Sequence, residues 1–216
     1  MTRSPRIAGR LLPATLLSLA LGVAALPAAA AEWFDTVIAN GRVIDPESGL
    51  DAVRNVGIRG GVIRAVTTDK LEGHDVIDAS GLVVSPGFID LHWHGTRPAS
   101  HRFQAKDGVT ASFELEVGVV DIDAWYAEHE GREPIHFGAA IGHIPVRMAV
   151  KGDKGEFLPS GPGAKGIASP EDLVAITSRI EHGLKRGAVA VGLGVVYTPA
   201  AQSWELLEVF RLAAKY

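Results

Sequence analysis

Two histidines separated by one residue follow an apolar stretch that predicts a buried β-strand. The stretch covers residues 83–91, and His92 and His94 come directly after it. Residues two apart on a strand point to the same side, so the two imidazoles are expected to face one point in space. Imidazole nitrogen is a common zinc ligand, and the pair therefore predicts half of a metal site. The same spacing also occurs in histidine pairs that lie on a surface or pack inside a core.

A second predicted strand, residues 108–118, carries two carboxylates inside an otherwise apolar sequence. Glu114 and Glu116 are two residues apart and are expected on one face of a regular strand. Buried carboxylates are costly unless they are paired or bind a metal. Glu116 is nearer the carboxyl end of the strand and is therefore the predicted ligand, which could bridge two metals. The alternative is a salt bridge with an arginine such as Arg147.

Two further strands end in residues of chemical interest. The predicted third strand, residues 135–144, brings His143 to its end, and a packed histidine that orients a neighbour is favoured over a ligand. The predicted fourth strand, residues 188–197, ends at Tyr197. Its hydroxyl could donate a hydrogen bond to a substrate carbonyl oxygen, with plain packing as the alternative.

The composition excludes several kinds of protein. The chain of 216 residues has no cysteine, which excludes disulfides, zinc–thiolate sites and a thiol nucleophile. Its formal net charge is −4 and no segment is strongly basic, so nucleic acid is not an expected partner.

The first 31 residues have the pattern of a secretory signal peptide. Three arginines precede an apolar run, residues 11–26, and small residues 28–31 resemble a cleavage site. An uncleaved membrane anchor is the alternative, but the run is short for a full span. The mature protein is therefore expected in the periplasm or outside the cell, with no stable membrane span.

The rest of the chain divides into two predicted domains. Residues 32–84 read as short strands between turn signals, including Asn40-Gly41, and predict a small β-sandwich portion. Residues 85–216 alternate between strands and helices, which predicts parallel βα units. Ser169-Pro170-Glu171-Asp172 begins a helix with a capping box, and Ser203 is the expected cap of the last helix. The predicted fold class is α/β, a partial (β/α)8 TIM-type barrel of about four units.

The motif Pro-Gly-Phe-Ile-Asp-x-His-x-His at residues 86–94 resembles the first barrel strand of the amidohydrolase superfamily. Three further motifs resemble its N-acyl-D-amino acid deacylase (D-aminoacylase-like) branch. They are Gly108-Val109-Thr110, the Gly-His-x-x-x-Arg of residues 142–147, and the Gly-Ala-x-x-x-Gly-x-Gly-x-x-Tyr-x-Pro of residues 187–199. The sequence departs from that branch on the second strand, where Val117 stands opposite a metal-bridging cysteine.

The resemblance implies a hydrolase of amide bonds that uses one or two Zn²⁺ ions and metal-activated water. His92, His94 and Glu116 would hold the metal, and a small-molecule amide would be the substrate. The resemblance assigns no chemistry to residues 32–84. The family's lysine on the fourth strand is missing, which argues against a cyclic amidase of the dihydroorotase or hydantoinase type. That type and an inactive remnant or binding module remain alternatives.

Four βα units are half of a barrel, so the chain is expected to be the N-terminal part of a larger enzyme. The family's general acid/base aspartate and its later histidines have no counterpart among these residues. The C-terminal half of the barrel is therefore an expected partner.

Overall fold

The structure is a computed structural model that describes residues 32–95 and 98–216. The predicted signal peptide lies outside the described residues. The described chain separates into two compact units, each with its own sheet. The first contains residues 32–43 and Leu50–Val84, and the second contains Ile44–Gly49 and Ser85–Tyr216.

The first sheet contains five strands. They are β1 (Trp33–Asp45), β2 (Leu50–Arg59), β3 (Val62–Thr67), β4 (Glu72–Asp78) and β5 (Val83–Val84). The order is β3-β2-β1-β4, and β5 also pairs with β1. β4 and β5 lie parallel to successive parts of β1, whereas β2 and β3 are antiparallel to each other.

One expectation for this segment was wrong. Asn40-Gly41 does not form a hairpin turn, because β1 continues through it. Asn40 adopts a positive φ of 62°, and its backbone N–H donates to Asn55 Oδ1 at 2.8 Å. Gly41 is required because a Cβ there would lie 2.4 Å from Val84 Cγ2. Long β1 pairs with strands on both sides, so the five strands of residues 32–84 form one sheet, and the β-sandwich portion stays a prediction.

The second unit alternates strands with helices, as predicted, and the α/β class is confirmed. Its four strands are parallel and lie in chain order, β6-β7-β8-β9. The elements are β6 (Phe88–Asp90), α1 (Pro98–Lys106), β7 (Val109–Val119), α2 (Ile122–His129), β8 (His136–Gly142), α3 (His143–Lys151), α4 (Pro162–Lys165), α5 (Pro170–Lys185), β9 (Val191–Gly192), a 3-10 turn (Val195–Tyr197) and α6 (Ser203–Ala213).

The core of this unit lies between β8 and the helices that cover it. Ile141 of β8 packs in one cluster with Ile176 and Ile180 of α5 and Val209 of α6, all fully buried. Ile176 and Ile180 are four residues apart and so lie on one face of their helix. The predicted capping box is present. Ser169 Oγ accepts a hydrogen bond from the Asp172 backbone N–H, and Asp172 Oδ2 accepts one from the Ser169 backbone N–H. The buried side chains of α5 and α6 therefore pack against β8.

Four predicted boundaries were wrong. The predicted first strand, residues 83–91, is divided between β5 in the first sheet and β6 in the second. The third strand ends at Gly142 and α3 follows, because Pro145 fits the first turn of a helix. The fourth strand is only Val191–Gly192. Ser203 is the first residue of α6, and Gln202 occupies the cap position. Within residues 32–95 and 98–216, no helix is both long and apolar enough to cross a bilayer.

Candidate metal centre

The histidine pair lies in an irregular segment after β6, although it was expected to keep the geometry of the strand end. The segment is held by hydrogen bonds at both sides. The His92 backbone N–H donates to Asp90 Oδ1 at 3.0 Å, and Gln104 of α1 donates to Asp90 Oδ2 at 2.8 Å. The Trp93 backbone N–H donates to the Phe113 carbonyl of β7 at 3.2 Å. These contacts fix the backbone from which the two imidazoles project.

The structure brings together the three residues that the sequence predicted as metal ligands. The Nε2 atoms of His92 and His94 lie 3.0 Å apart. Each of them lies 3.4 Å from Glu116 Oε2. In a tetrahedral zinc site with bonds of about 2.0–2.1 Å, the ligand atoms are about 3.3 Å apart. The three atoms therefore form a triangle of the size that one face of such a tetrahedron requires. Of the described residues, only these three form a cluster able to hold a metal ion.

Glu114 orients His94 from the other side of its ring. Glu114 Oε2 lies 2.7 Å from His94 Nδ1, and Glu114 Oε1 accepts the Gly118 backbone N–H at 3.1 Å. A carboxylate at Nδ1 selects the tautomer that carries its proton there, which leaves the Nε2 lone pair free for a metal. The sequence did not by itself predict this role for Glu114. Its spacing of two from Glu116 was the available signal.

Replacing Glu114 with glutamine is expected to weaken zinc binding by roughly 10–100-fold, the usual cost of losing a carboxylate that supports a metal-binding histidine. The amide keeps the shape of the side chain but no longer carries the charge that supports the Nδ1 proton. Competition with a chromogenic chelator measures the change. Glu156→Gln in the loop before α4 is the matched control and should leave affinity unchanged. Equal affinity of the Glu114 variant and the unaltered chain would contradict this role.

Tyr197 lies in the 3-10 turn and is partly exposed. Its ring borders Gly194, where an added Cβ would lie 2.9 Å from Glu116 Oε1 and 3.0 Å from Tyr197 Cδ2. The absence of a side chain at Gly194 therefore makes room for the Glu116 carboxylate. Tyr197 is close to the cluster, and its predicted hydrogen bond to a substrate carbonyl stays a prediction.

His143 and Arg147 belong to a buried ionic group and are not members of the metal-binding cluster. Glu205 Oε1 of α6 lies 2.9 Å from His143 Nε2 and 2.8 Å from Arg147 Nε. Arg147 also donates to the carbonyls of Gly163 and Gly166. All three side chains are fully buried. The packed role favoured for His143 agrees with this arrangement, and Arg147 pairs with Glu205 instead of Glu116.

Burial alone would raise the pKa of Glu205, but hydrogen bonds from His143 and Arg147 outweigh it and lower that pKa. The carboxylate therefore stays ionised and joins α3 to α6. Sequence reasoning missed Glu205, because a buried acid 58 residues from its arginine leaves no local signal.

The loop between α3 and α4 is organised by one carboxylate. Asp153 accepts backbone N–H groups from four residues at 2.7–3.1 Å, namely Gly155, Ser160, Gly161 and Gly163. These hydrogen bonds, with that of Gly155 the largest, lower the pKa of Asp153 from 3.8 to about 2. The loop presents Phe157, whose ring meets the His94 ring edge-on at a centroid distance of 5.5 Å. Asp153 thus fixes a wall beside the cluster.

Replacing Asp153 with asparagine is expected to speed amide hydrogen exchange at Gly161 and Gly163 by roughly tenfold or more, because the amide nitrogen cannot accept their N–H groups. In the unaltered protein the depressed pKa adds stability above pH 3.8, and that stability is lost as the pH falls towards 2. Hydrogen exchange by mass spectrometry reports both effects. Unchanged exchange in this loop would contradict the assignment, and α5 amides provide the internal control.

Known proteins are similar to parts of this chain in sequence. No family model matches the chain. A dihydroorotase from Streptococcus pneumoniae is 42% identical over 78 residues, which are 35% of this chain and 18% of that protein. An allantoinase from Escherichia coli is 35% identical over 128 residues, covering 55% of this chain and 27% of that protein.

Solved structures are similar over more of the chain. One is an N-acyl-D-glutamate deacylase from Bordetella bronchiseptica, complexed with zinc and a phosphonate inhibitor that mimics the tetrahedral intermediate. It has a TM-score of 0.71 and 25% identity, covering 85% of this chain and 44% of that chain. D-aminoacylase, from a subset of amidohydrolases, gives a TM-score of 0.66 and 24% identity, covering 84% and 43%.

The chain thus spans less than half the length of each of these proteins. Its fold is that of part of an amidohydrolase barrel, and the predicted resemblance to the N-acyl-D-amino acid deacylase branch is confirmed.

Proposed function

We propose that this chain is the metal-binding part of a zinc-dependent amidohydrolase that cleaves the amide bond of an N-acyl-D-amino acid or a related small molecule. One observation carries the proposal, namely the triangle of His92 Nε2, His94 Nε2 and Glu116 Oε2 with sides of 3.0, 3.4 and 3.4 Å. Two imidazole nitrogens at 3.0 Å repel each other unless a proton or a cation lies between them.

The donor set supports a divalent cation of the zinc type. Two neutral imidazoles and one carboxylate are a common protein ligand set of catalytic zinc, with a further position left for water or substrate. A cation bound there would polarise the amide carbonyl and lower the pKa of a water molecule. His92 is largely exposed and His94 and Glu116 are half-buried, so the cluster is open to a small molecule.

The neighbouring residues have separate roles in this proposal. Glu114 holds the tautomer and the orientation of His94. Phe157 closes one side of the cluster and limits access of bulk water. The Tyr197 hydroxyl donates a hydrogen bond to the substrate carbonyl oxygen, where negative charge develops during attack.

A cyclic amidase is the second candidate, and the sequence relatives favour it. The dihydroorotase match reaches 42% identity, although over only 78 residues. The structural likeness to the deacylase extends over 85% of this chain and supports the first candidate. The missing lysine on the fourth strand also supports the first candidate over the second.

Metal analysis and hydrolysis assays on the purified chain test the proposal. We expect one or two zinc ions per chain by mass spectrometry after dialysis. N-acetyl-D-glutamate hydrolysis would support the deacylase, and dihydroorotate hydrolysis the cyclic amidase. Absence of bound zinc would contradict both and favour the inactive remnant or binding module. If the chain bound zinc but hydrolysed neither substrate, the metal site would still be supported. Hydrolysis would then be expected only when the chain is joined to the rest of the barrel.

Two further proposals concern the setting of the enzyme. The arginine-rich start and apolar run of residues 1–31 support export to the periplasm or the exterior. The four-stranded parallel sheet supports a partner that supplies the rest of the barrel, since closure of a (β/α)8 barrel needs eight strands.

A further inference from the structure

The barrel unit contains a cavity of about 130 Å³ beside the metal-binding cluster. The cavity and the cluster share two walls. One is Glu114, whose carboxylate lies 2.7 Å from His94 Nδ1. The other is Phe157, whose ring meets the His94 ring edge-on. A molecule bound at the cluster is therefore separated from this cavity by the width of a single side chain.

The lining combines aromatic surfaces with buried polar atoms. Trp93, Trp125 and Phe157 supply the aromatic surfaces. Ser112, which is 2% exposed, is one of the polar residues. The buried Trp93 Nε1 and Ser112 Oγ atoms find no hydrogen-bond partner among residues 32–95 and 98–216. Buried polar groups are nearly always hydrogen-bonded in proteins, so an occupant of the cavity is expected to bind them.

The lining narrows the chemistry of that occupant. An indole N–H only donates, so the occupant must offer an acceptor oxygen to Trp93. The Glu114 carboxylate, also in the lining, disfavours an anion. A purely apolar group would leave Trp93 and Ser112 without partners, whereas the aromatic walls favour a flat group. An uncharged planar carbonyl group satisfies all of these conditions.

The size of the cavity agrees with a group of a few heavy atoms. A water molecule takes about 30 Å³ of the liquid, so the cavity has room for roughly four waters or a small amide. His101 adds a further polar wall, and its Nδ1 is already 2.6 Å from Glu133 Oε2. The buried polar atoms of the lining that lack a partner in the described part of the chain are Trp93 Nε1 and Ser112 Oγ.

We propose that this cavity is a binding subsite for a primary carboxamide or ureido group on one arm of the substrate. The role as a substrate subsite rests on the proposed function, whereas binding of the group itself does not. Trp93 Nε1 donates to the carbonyl oxygen of the group, Ser112 Oγ makes a second hydrogen bond, and the three aromatic rings enclose its plane.

Acetamide is the probe for this subsite, followed by the indole N–H signals in ¹H–¹⁵N spectra of the metal-free chain. Trp93→Phe identifies the Trp93 signal. We expect a saturable shift of that signal with acetamide and none with acetate at the same concentrations. Ser112→Ala should weaken acetamide binding by roughly 3- to 10-fold, the value of one hydrogen bond.

Trp33→Phe, in the other unit, is the matched control and should leave the acetamide titration unchanged. A Trp93 signal that does not move, or that moves equally with acetate, would overturn the proposal and leave a cavity that holds only water. Binding that Ser112→Ala leaves at full strength would also overturn it. Zinc binding is measured separately on the same samples. If the chain bound no zinc but its Trp93 signal still shifted with acetamide, the proposed function would be overturned and the subsite would stand.

Discussion

Replacing His94 with alanine is expected to abolish stoichiometric zinc binding. His94 Nε2 is 3.0 Å from the His92 nitrogen and 3.4 Å from Glu116 Oε2, so its loss removes one corner of the ligand triangle. The loss of affinity should exceed the roughly 10–100-fold expected for Glu114→Gln, which removes only a supporting hydrogen bond. Competition against a chromogenic chelator at neutral pH measures both variants on one scale.

His136→Ala is the matched control for that experiment. His136 is exposed at the first residue of β8, and the change removes the same chemical group from the same unit. Its zinc affinity should equal that of the unaltered chain. If His94→Ala and His136→Ala bound zinc equally well, the metal would be held elsewhere and the proposed centre would be wrong.

Replacing Arg147 with methionine is expected to lower the free energy of unfolding of the barrel unit by about 3–5 kcal/mol, the usual cost of breaking a buried ion pair from one side. Methionine keeps most of the side-chain length. It leaves the Glu205 carboxylate buried with the His143 imidazole as its one remaining side-chain partner, and it leaves the Gly163 and Gly166 carbonyls without their donor. Urea denaturation followed by circular dichroism measures the loss.

Two variants separate this effect from a general loss of charge. Arg186→Met removes an exposed arginine whose Nε lies 2.8 Å from Asp123, and exposed pairs contribute about 0–1 kcal/mol. Arg147→Met combined with Glu205→Leu removes both buried charges and should recover much of the lost stability. Equal destabilisation by Arg147→Met and Arg186→Met would show that burial of the ionic group is unimportant.

The parts of the fold that depend on local sequence were predictable. The capping box at Ser169 and Asp172 is encoded within four residues, and it was predicted where it occurs. The alternation of apolar strands with amphipathic helices likewise gave the α/β class. The hairpin turn predicted at Asn40-Gly41 was wrong, because a positive φ at Asn40 also occurs within a continuous strand. Pairing with β2 and β4 decides between the two, and pairing is not a local property.

The candidate site was predictable where it depends on strand spacing. His92 and His94 were expected to converge, and they do, although hydrogen bonds to Asp90 and Phe113 hold them outside a regular strand. Glu114 and Glu205 were given no role, because each acts through a partner at least 20 residues away. Phe157 comes from a loop whose shape depends on four backbone contacts to Asp153 that its sequence does not reveal.

The most direct measurement is an anomalous diffraction map at the zinc absorption edge, from crystals of the chain grown with zinc. We expect one strong peak about 2.0–2.1 Å from His92 Nε2, His94 Nε2 and Glu116 Oε2. Zinc peaks held only by other residues, or no peak at these three atoms under saturating zinc, would contradict the assignment of this chain as the metal-binding part of an amidohydrolase.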